Sequence, residues 1–361
     1  MSQRFARVTP APLLLAMLGA LAAAATLSAC SGGKPAQSAG HGDSAAAPDA
    51  TAWHDPSPHT VRFVSVPGVT VPGPVRIEVL DWGGTGQPLV FVPGLEDTGH
   101  IFDDFAPQFT DHFHVLAVSR RGWGASDHPD SGYTIPALAS DVHAVLDSLH
   151  LSHVDLVGHS IAGQELTWVA ATYPGQVDRL VYLDAGFDYH AHPVPRPYPE
   201  PPAMTAADSA SPAAGLAYAR RLSDAPIPEA TYRATEKLSP SGRDLGPASP
   251  PAFTEAVVRS AEALAPPFGK VHVPVLAIYD WPISAAEFLP WIAATDTSAP
   301  HWLAVAQKWH AAQRDEFKAK VPRARIIELR GATHYIFLVR PDTVAHAMRA
   351  FLAPPSATAG R

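Results

Sequence analysis

Ser160 stands in a short segment whose residue types and spacing favour nucleophilic chemistry, Gly158-His159-Ser160-Ile161-Ala162-Gly163. An apolar run at residues 154–157 comes directly before it, and a helical pattern begins at Ile161. A strand, a sharp turn that small residues permit and a helix would present the Ser160 hydroxyl at the helix start. The five-residue pattern also occurs by chance, and a serine that only caps a helix is the alternative. The flanking strand and helix favour the nucleophile.

His334 is the best placed of the 18 histidines to activate this serine. A serine hydroxyl is a weak nucleophile at its ordinary pKa and needs a base that takes its proton. His334 follows the last predicted strand, residues 326–329, and precedes the last predicted helix. In a parallel sheet, that position lies at the same carboxyl edge as Ser160, so we expect the two side chains to meet.

Short apolar runs at six places position these residues. They occur at residues 89–92, 115–118, 154–157, 180–183, 275–278 and 326–329. Such runs are typical of buried parallel strands, and the amphipathic stretches between them of helical crossovers. Two extended segments, residues 61–71 and 75–81, predict an opening antiparallel pair. The sequence therefore predicts an α/β fold.

One interval is too long for an ordinary crossover. About eighty residues separate the strand that ends at Leu183 from the next one. This stretch is rich in proline and has only weak helical patterns, which favours a cap inserted over the strand ends. We predict a core at residues 59–185 and 270–354, and the cap at residues 186–269.

The first 29 residues have the composition of a secretory signal. Arg4 and Arg7 give a positive start, and a Leu- and Ala-rich stretch follows that is too short for a secure membrane span. Residues 30–58 are rich in Gly, Ser, Ala and Pro, which predicts a flexible tether.

The signal ends in Leu27-Ser28-Ala29-Cys30, which resembles the lipobox of bacterial lipoproteins. In those proteins, the cysteine becomes the lipidated first residue of the mature chain. Cys30 is the only cysteine here, and an ordinary cleaved signal with an incidental cysteine is the alternative. The resemblance implies an exported protein anchored by lipid in the bacterial cell envelope, and Ser31 indicates the outer membrane in a Gram-negative cell.

Four motifs in order along the chain resemble the α/β-hydrolase superfamily. They are Val92-Pro93-Gly94-Leu95, Arg120-Arg121-Gly122-Trp123-Gly124-Ala125-Ser126-Asp127, the Ser160 segment and Gly331-Ala332-Thr333-His334. The resemblance covers nearly the whole chain after the tether. It implies a mostly parallel eight-stranded sheet flanked by helices, with a helical Pro-rich cap after strand 6. The chain departs from the family at Pro93, where His is common, and in lacking Gly-x-x-Asp after Ile278.

The same resemblance implies roles for further residues. The backbone N–H groups of Leu95 and Ile161 would form the oxyanion hole. The acid that orients His334 would be Asp280, because the family usually keeps its acid after the strand that precedes the histidine strand. Asp184 is the alternative, because it ends the strand before that one and some lipases on this fold take their acid there.

These residues predict a serine hydrolase of the carboxylesterase or lipase kind, which cleaves a carboxylic ester or related acyl compound through an acyl-enzyme. Ser160 argues against dehalogenases and epoxide hydrolases of the superfamily, which use Asp at this turn. A lyase or a carbon–carbon hydrolase keeps the serine and is the enzymatic alternative. A surface lipoprotein that binds without catalysis is the other.

The composition limits the partners. The formal net charge is −8 and no basic run is present, so the sequence predicts a small-molecule acyl substrate and no nucleic acid. His190 and His192 lie close together beside Asp188, but no third ligand has metal spacing. We therefore expect no metal and no cofactor.

Overall fold

A computed structural model describes residues 53–68, 71–196, 199, 201–284, 291 and 296–353 of the 361-residue chain. Its strands are β1 (Thr60–Val66), β2 (Val75–Gly83), β3 (Gln87–Val92), β4 (Phe113–Val118), β5 (Val154–His159), β6 (Val177–Leu183), β7 (Glu236–Leu238), β8 (Asp244–Pro247), β9 (Val275–Asp280) and β10 (Arg325–Leu329). Its helices are α1 (Ile135–Ser148), α2 (Ala162–Thr172), α3 (Pro212–Ser223), α4 (Glu229–Thr235), α5 (Pro251–Ala263), α6 (Ala299–Lys320), α7 (Ile336–Val339) and α8 (Pro341–Leu352). The predicted signal at residues 1–29 and Cys30 lie outside the described residues.

Eight of these strands form one sheet, in the order β1-β2-β4-β3-β5-β6-β9-β10. The pairs β1–β2 and β2–β4 are antiparallel, and the remaining pairs are parallel. The opening antiparallel pair is therefore present as predicted. The predicted mostly parallel, eight-stranded α/β sheet is confirmed.

The sheet is buried on both faces, as near-continuous apolar strands require. Along β3, Val90 and Val92 belong to one hydrophobic cluster, while Leu89 and Phe91 belong to the cluster on the other side. Successive side chains of a strand point to opposite faces, so this alternation places packed helices above and below the sheet. No helix in the part of the chain described is long and apolar enough to cross a bilayer.

The winding of the sheet reverses at β3. This strand lies between β4 and β5, so the chain first moves outward from β3 to β4 and then returns past β3 to β5. In open α/β sheets, ligands bind beyond the carboxyl ends of the strands at such a reversal. The loop after β3 and the turn after β5 therefore face the favoured site for ligand binding.

The segment between β6 and β9 carries α3, α4, the strand pair β7–β8 and α5. β7 and β8 pair with each other in a separate two-stranded antiparallel sheet, which the sequence patterns did not predict. Two hydrogen bonds connect α5 to the core: Oγ1 of Thr254 donates to Glu96 at 2.8 Å, and the backbone N–H of Ile135 donates to Oγ of Ser260 at 3.0 Å. The insertion thus contacts the core close to the loop after β3.

Gly163 allows the start of α2 to approach the chain after β6. A Cβ atom added there would lie 1.9 Å from the carbonyl oxygen of Ala185. Backbone atoms cannot move aside cheaply, so Gly163→Ala should destabilise the fold by about 1–3 kcal/mol. We expect a lower melting temperature by circular dichroism. Gly175→Ala is the matched control, because its added Cβ meets nothing within 4 Å; equal melting of both variants would contradict this packing account.

Candidate active site

Ser160 occupies a sharp turn between β5 and α2. Its φ is +57°, in the left-handed region that non-glycine residues rarely adopt. The backbone N–H of Ser160 donates to the carbonyl of Leu183 at 3.3 Å, which ties the turn to the end of β6. A strained residue held in this way, with its side chain at the start of a helix, is typical of a nucleophile turn.

His334 lies in the loop between β10 and α7, and Asp184 holds its ring. Nδ1 of His334 donates to Oδ2 of Asp184 at 2.7 Å. The Asp184 side chain is 1% exposed and that of His334 is 21% exposed. A buried carboxylate that accepts from Nδ1 fixes the orientation and the tautomer of the imidazole ring. Nε2 then remains available to accept a proton.

The placement of the acid corrects the preference for Asp280. Asp184 is the residue after β6, whereas Asp280 is the last residue of the neighbouring strand β9. The φ of Asp184 is +45°, and this turn out of the strand accompanies its contact with His334. The backbone N–H of Asp280 donates to the other oxygen of Asp184, Oδ1, at 3.3 Å. Asp280 therefore helps to orient the acid.

Two side-chain atoms of the site have no well-formed hydrogen bond to any described residue: Oγ of Ser160 and Nε2 of His334. Both are buried. The hydroxyl of Tyr189 lies beside Ser160. Burial raises the pKa of the Tyr189 phenol, while the contact with Ser160 acts in the opposite direction, so the phenol stays protonated near neutral pH.

The backbone amides of Leu95 and Ile161 also have no hydrogen-bond acceptor among the described residues, although both residues are fully buried. Buried N–H groups without a partner are rare and costly. Leu95 follows β3 and Ile161 follows Ser160, so these two donors come from the strand ends on either side of the winding reversal. They are the residues that the resemblance assigns to an oxyanion hole.

Arg120 is a residue that the sequence reasoning missed. Its guanidinium donates to the carbonyls of Pro93 and Gly94 and, at 2.6 Å, to Oε1 of Glu165 on α2. It is 3% exposed. Arg120 therefore clamps the loop that carries Leu95 onto the helix that follows Ser160. Arg120 begins the motif at residues 120–127, but nothing in the residue pattern distinguished a buried arginine from a surface one.

Two acids follow Leu95 in the same loop: Glu96, which is half-buried, and Asp97, which is buried. Burial raises the pKa of Glu96 to about 8 and that of Asp97 to about 7. Both acids therefore bind protons near neutral pH, which limits negative charge beside Leu95. Burial also holds the pKa of His159 well below its usual value, and its Nε2 donates to the carbonyl of His334 at 3.0 Å. His159 thus packs as a neutral residue.

Aromatic side chains surround Tyr189. Phe187 and Trp309 lie 5.9 and 6.1 Å from it between ring centroids, and the indole of Trp309 donates to the carbonyl of His192 at 2.9 Å. Trp309 lies on α6 and packs against Tyr189, which in turn contacts Ser160.

The histidine pair in the insertion does not form a cluster. Nδ1 of His190 donates to the carbonyl of Glu262 at 2.9 Å, while Nε2 of His192 contacts the Glu316 carboxylate. The two rings therefore have separate partners.

Known proteins resemble this chain in part of its sequence and in its fold. A family model described as "alpha/beta hydrolase fold" matches residues 87–232. The 2-(acetamidomethylene)succinate hydrolase of Mesorhizobium japonicum is 33% identical over 101 residues, which are 28% of this chain and 36% of that protein. A non-heme chloroperoxidase of Streptomyces lividans is 35% identical over 120 residues, which are 32% and 44% of the two chains. The match thus spans less than half of the length of either relative.

A solved structure extends the likeness to nearly the whole described chain. The crystal structure of E-2-(acetamidomethylene)succinate hydrolase superposes with a TM-score of 0.60 and 21% identity, and covers 81% of this chain and 98% of that one. At this identity the likeness establishes the fold. The α/β-hydrolase fold expected from the motifs is confirmed.

The two acids at the neighbouring strand ends can be told apart by matched substitutions. We expect Asp184→Asn to lower kcat by about 10⁴-fold, because loss of the carboxylate at Nδ1 leaves the imidazole in the wrong tautomer. Asp280→Asn keeps the backbone N–H that orients Asp184 and should retain kcat within about tenfold. The rate of p-nitrophenyl acetate hydrolysis gives kcat for both variants. The reverse ranking would return the acid role to Asp280.

Proposed function

We propose that this chain, which has the α/β-hydrolase fold and matches the family model over residues 87–232, is a serine hydrolase of carboxylic esters or related acyl compounds. The observation that carries the proposal is the hydrogen bond between His334 and Asp184 at the sheet edge where Ser160 stands in its strained turn. A nucleophile, a base and an orienting acid from three strand ends are the parts that acyl transfer requires.

In the proposed reaction, Ser160 attacks the acyl carbonyl while His334 takes the proton from its hydroxyl. Asp184 stabilises the imidazolium that forms. The negative charge that develops on the carbonyl oxygen is met by the N–H groups of Leu95 and Ile161, which are fixed before the reaction and need no reorganisation. His334 then protonates the leaving group, which departs as an alcohol or amine and leaves an acyl-enzyme.

Hydrolysis of the acyl-enzyme repeats these steps with water. His334 removes a proton from the water, the hydroxide attacks the Ser160 ester, and the acid product leaves as Ser160 regains its proton. Protonated Glu96 supports both steps, because a carboxylate beside Leu95 would repel the developing oxyanion.

The surroundings of Ser160 favour a small, largely apolar acyl group. Tyr189 contacts the serine and is itself packed against Phe187 and Trp309. Pockets lined by aromatic residues with a few fixed polar groups are typical of small-molecule sites. The hydrolase relative supports hydrolytic chemistry, although its named substrate is a succinate derivative.

Carbon–carbon hydrolysis and lyase chemistry use the same serine scaffold and are the competing activities. A perhydrolytic activity would fit the name of the chloroperoxidase relative. A protein that only binds its ligand would show neither turnover nor covalent labelling. One experiment separates these possibilities from ester hydrolysis.

The purified full chain in detergent is incubated with a fluorophosphonate probe and, separately, with p-nitrophenyl acetate and butyrate. We expect one probe per chain, with the adduct on Ser160, and ester turnover that Ser160→Ala lowers by about 10⁴-fold or more. Ser209→Ala, a serine of the insertion, is the control and should match wild type. Turnover that persists in Ser160→Ala, or a wild type that neither reacts nor hydrolyses, would refute the proposal.

We further propose that the enzyme is exported and anchored in the cell envelope through lipid on Cys30. The support is the motif Leu27-Ser28-Ala29-Cys30 after an apolar signal segment. Cells that express the chain and are fed a palmitate analogue should label wild type in the membrane fraction. The Cys30→Ala variant should lose the label and should no longer sediment with the membranes. Its esterase activity should be unchanged. Equal labelling of both forms would contradict the anchor.

A further inference from the structure

Two histidines and two aspartates that play no part in the proposed reaction converge beside β1. Asp55 and His59 come from the segment that precedes this strand, His100 from the short 3₁₀ helix Gly99–Phe102 after the Leu95 loop, and Asp103 from the residue that ends this helix. One ligand atom from each residue lies within 4.8 Å of the other three. Asp55 belongs to the predicted tether, yet in the structure it contacts His100.

The distances within this His/Asp cluster fit a small metal ion. Nδ1 of His59 lies 3.3 Å from Oδ1 of Asp103, and Nδ1 of His100 lies 3.0 Å from Oδ2 of Asp55. Ligands at about 2.0 Å from a tetrahedral zinc ion are separated by about 3.3 Å. These two pairs therefore stand near the spacing that such an ion requires, and a small adjustment of side chains would bring the four ligand atoms, now within 4.8 Å of one another, around one ion.

Three of the converging atoms have no well-formed hydrogen bond to any described residue. They are Oδ2 of Asp55, Nδ1 of His59 and Oδ1 of Asp103, and all three are buried. The side chains of His59 and Asp103 are 3% and 4% exposed. Buried polar atoms without partners are uncommon because each loses its hydration without compensation. One cation among them would satisfy all three.

The surroundings of the cluster resemble the outer shell of a metal site. Oε1 of Glu78 lies 4.0 Å from Nε2 of His100, on the side of the ring away from the two aspartates. Ligating histidines commonly direct their second nitrogen to a carboxylate, which orients the ring. The backbone N–H of Ser57 donates to Oδ1 of Asp55 at 2.9 Å and leaves Oδ2 to point into the cluster.

The charges favour a divalent ion. With both imidazoles neutral, as metal ligands must be, Asp55 and Asp103 give the cluster a formal charge of −2, and the neighbouring Glu78 carboxylate brings the total to −3, which a dication reduces to −1. Two imidazole nitrogens among the ligands favour zinc or a neighbouring transition metal, because calcium and magnesium prefer oxygen ligands throughout.

We propose that Asp55, His59, His100 and Asp103 bind one structural zinc ion. This revises the expectation of a protein without metal. The ion would join the segment before β1 to the helix that follows the Leu95 loop. Because such a site does not exist in the unfolded chain, the free energy of metal binding adds to the free energy of folding.

The test uses the full chain in detergent after removal of metals with EDTA. Calorimetric titration with zinc chloride should show one equivalent bound per chain. Zinc at a hundredfold excess over Kd should raise the Tm by about 5 °C or more. Calcium and magnesium chloride should leave the Tm unchanged. Absence of stoichiometric zinc binding would show that bound protons, without a metal ion, compensate the negative charge of the carboxylates. That result would overturn the proposal.

Variants locate the ion. His59→Gln and Asp103→Asn should each weaken zinc binding by more than about tenfold, and Glu78→Gln by about tenfold as an outer-shell change. His153→Gln is the matched control, because His153 also pairs with an aspartate, Asp178, at 3.0 Å but lies outside the cluster. Binding that survives in His59→Gln and Asp103→Asn would place the ion elsewhere and refute the site.

If those variants do not fold, a second measurement tests the metal site in the wild-type protein. Wild type reconstituted with cobalt should show the intense visible absorption of a four-coordinate ion, as the N₂O₂ ligand set predicts. The weak absorption of a six-coordinate ion would contradict the proposed geometry.

Discussion

Asp184 accepts a hydrogen bond from His334 across 2.7 Å, although 150 residues separate them in the chain. The contact exists because β6, β9 and β10 are parallel neighbours and their carboxyl ends meet at one edge of the sheet. Hydrogen bonds to β6 and to Asp184 hold the Ser160 turn and Asp280 in place relative to this pair. The Ser160 turn is bonded to Leu183, directly before Asp184, and the backbone N–H of Asp280 holds the second carboxylate oxygen. The sheet register therefore positions Ser160, His334 and Asp184, the proposed nucleophile, base and acid, at one edge.

The loops at this edge are strained, and the surrounding packing maintains the strain. Glu96, Ser160 and Asp184 all have positive φ, at the three places where β3, β5 and β6 give way to loops. A non-glycine residue in this region costs of order 1–3 kcal/mol and persists only where its neighbours enforce it. Arg120 enforces the loop before Glu96 through the carbonyls of Pro93 and Gly94. The absence of a side chain at Gly163 permits the close approach of α2 to Ala185. Contacts from several parts of the fold therefore hold the strained residues in place.

Much of this arrangement was predictable because strand runs and turn residues act locally. The positions of Ser160 and His334 at strand ends were predictable from the apolar runs beside them, and the long segment between β6 and β9 from the length of one interval. Which aspartate contacts His334 was not predictable, because Asp184 and Asp280 both stand at ends of adjacent parallel strands and only the backbone turn at Asp184 distinguishes them. Arg120 and the His/Asp cluster depend on long-range packing. Asp55 is 45 residues from His100 along the chain, within a stretch whose composition indicated a tether.

A crystal structure of the protein after reaction with an alkyl phosphonate would test the proposed triad and oxyanion hole together, because the adduct mimics the tetrahedral intermediate. We expect phosphorus bonded to Oγ of Ser160, with one phosphoryl oxygen about 2.7–3.1 Å from the amide nitrogens of both Leu95 and Ile161. Nε2 of His334 should face the adduct while Nδ1 stays on Asp184. An adduct on another residue, an oxygen out of reach of these amides, or Asp280 in place of Asp184 at Nδ1 would contradict the account.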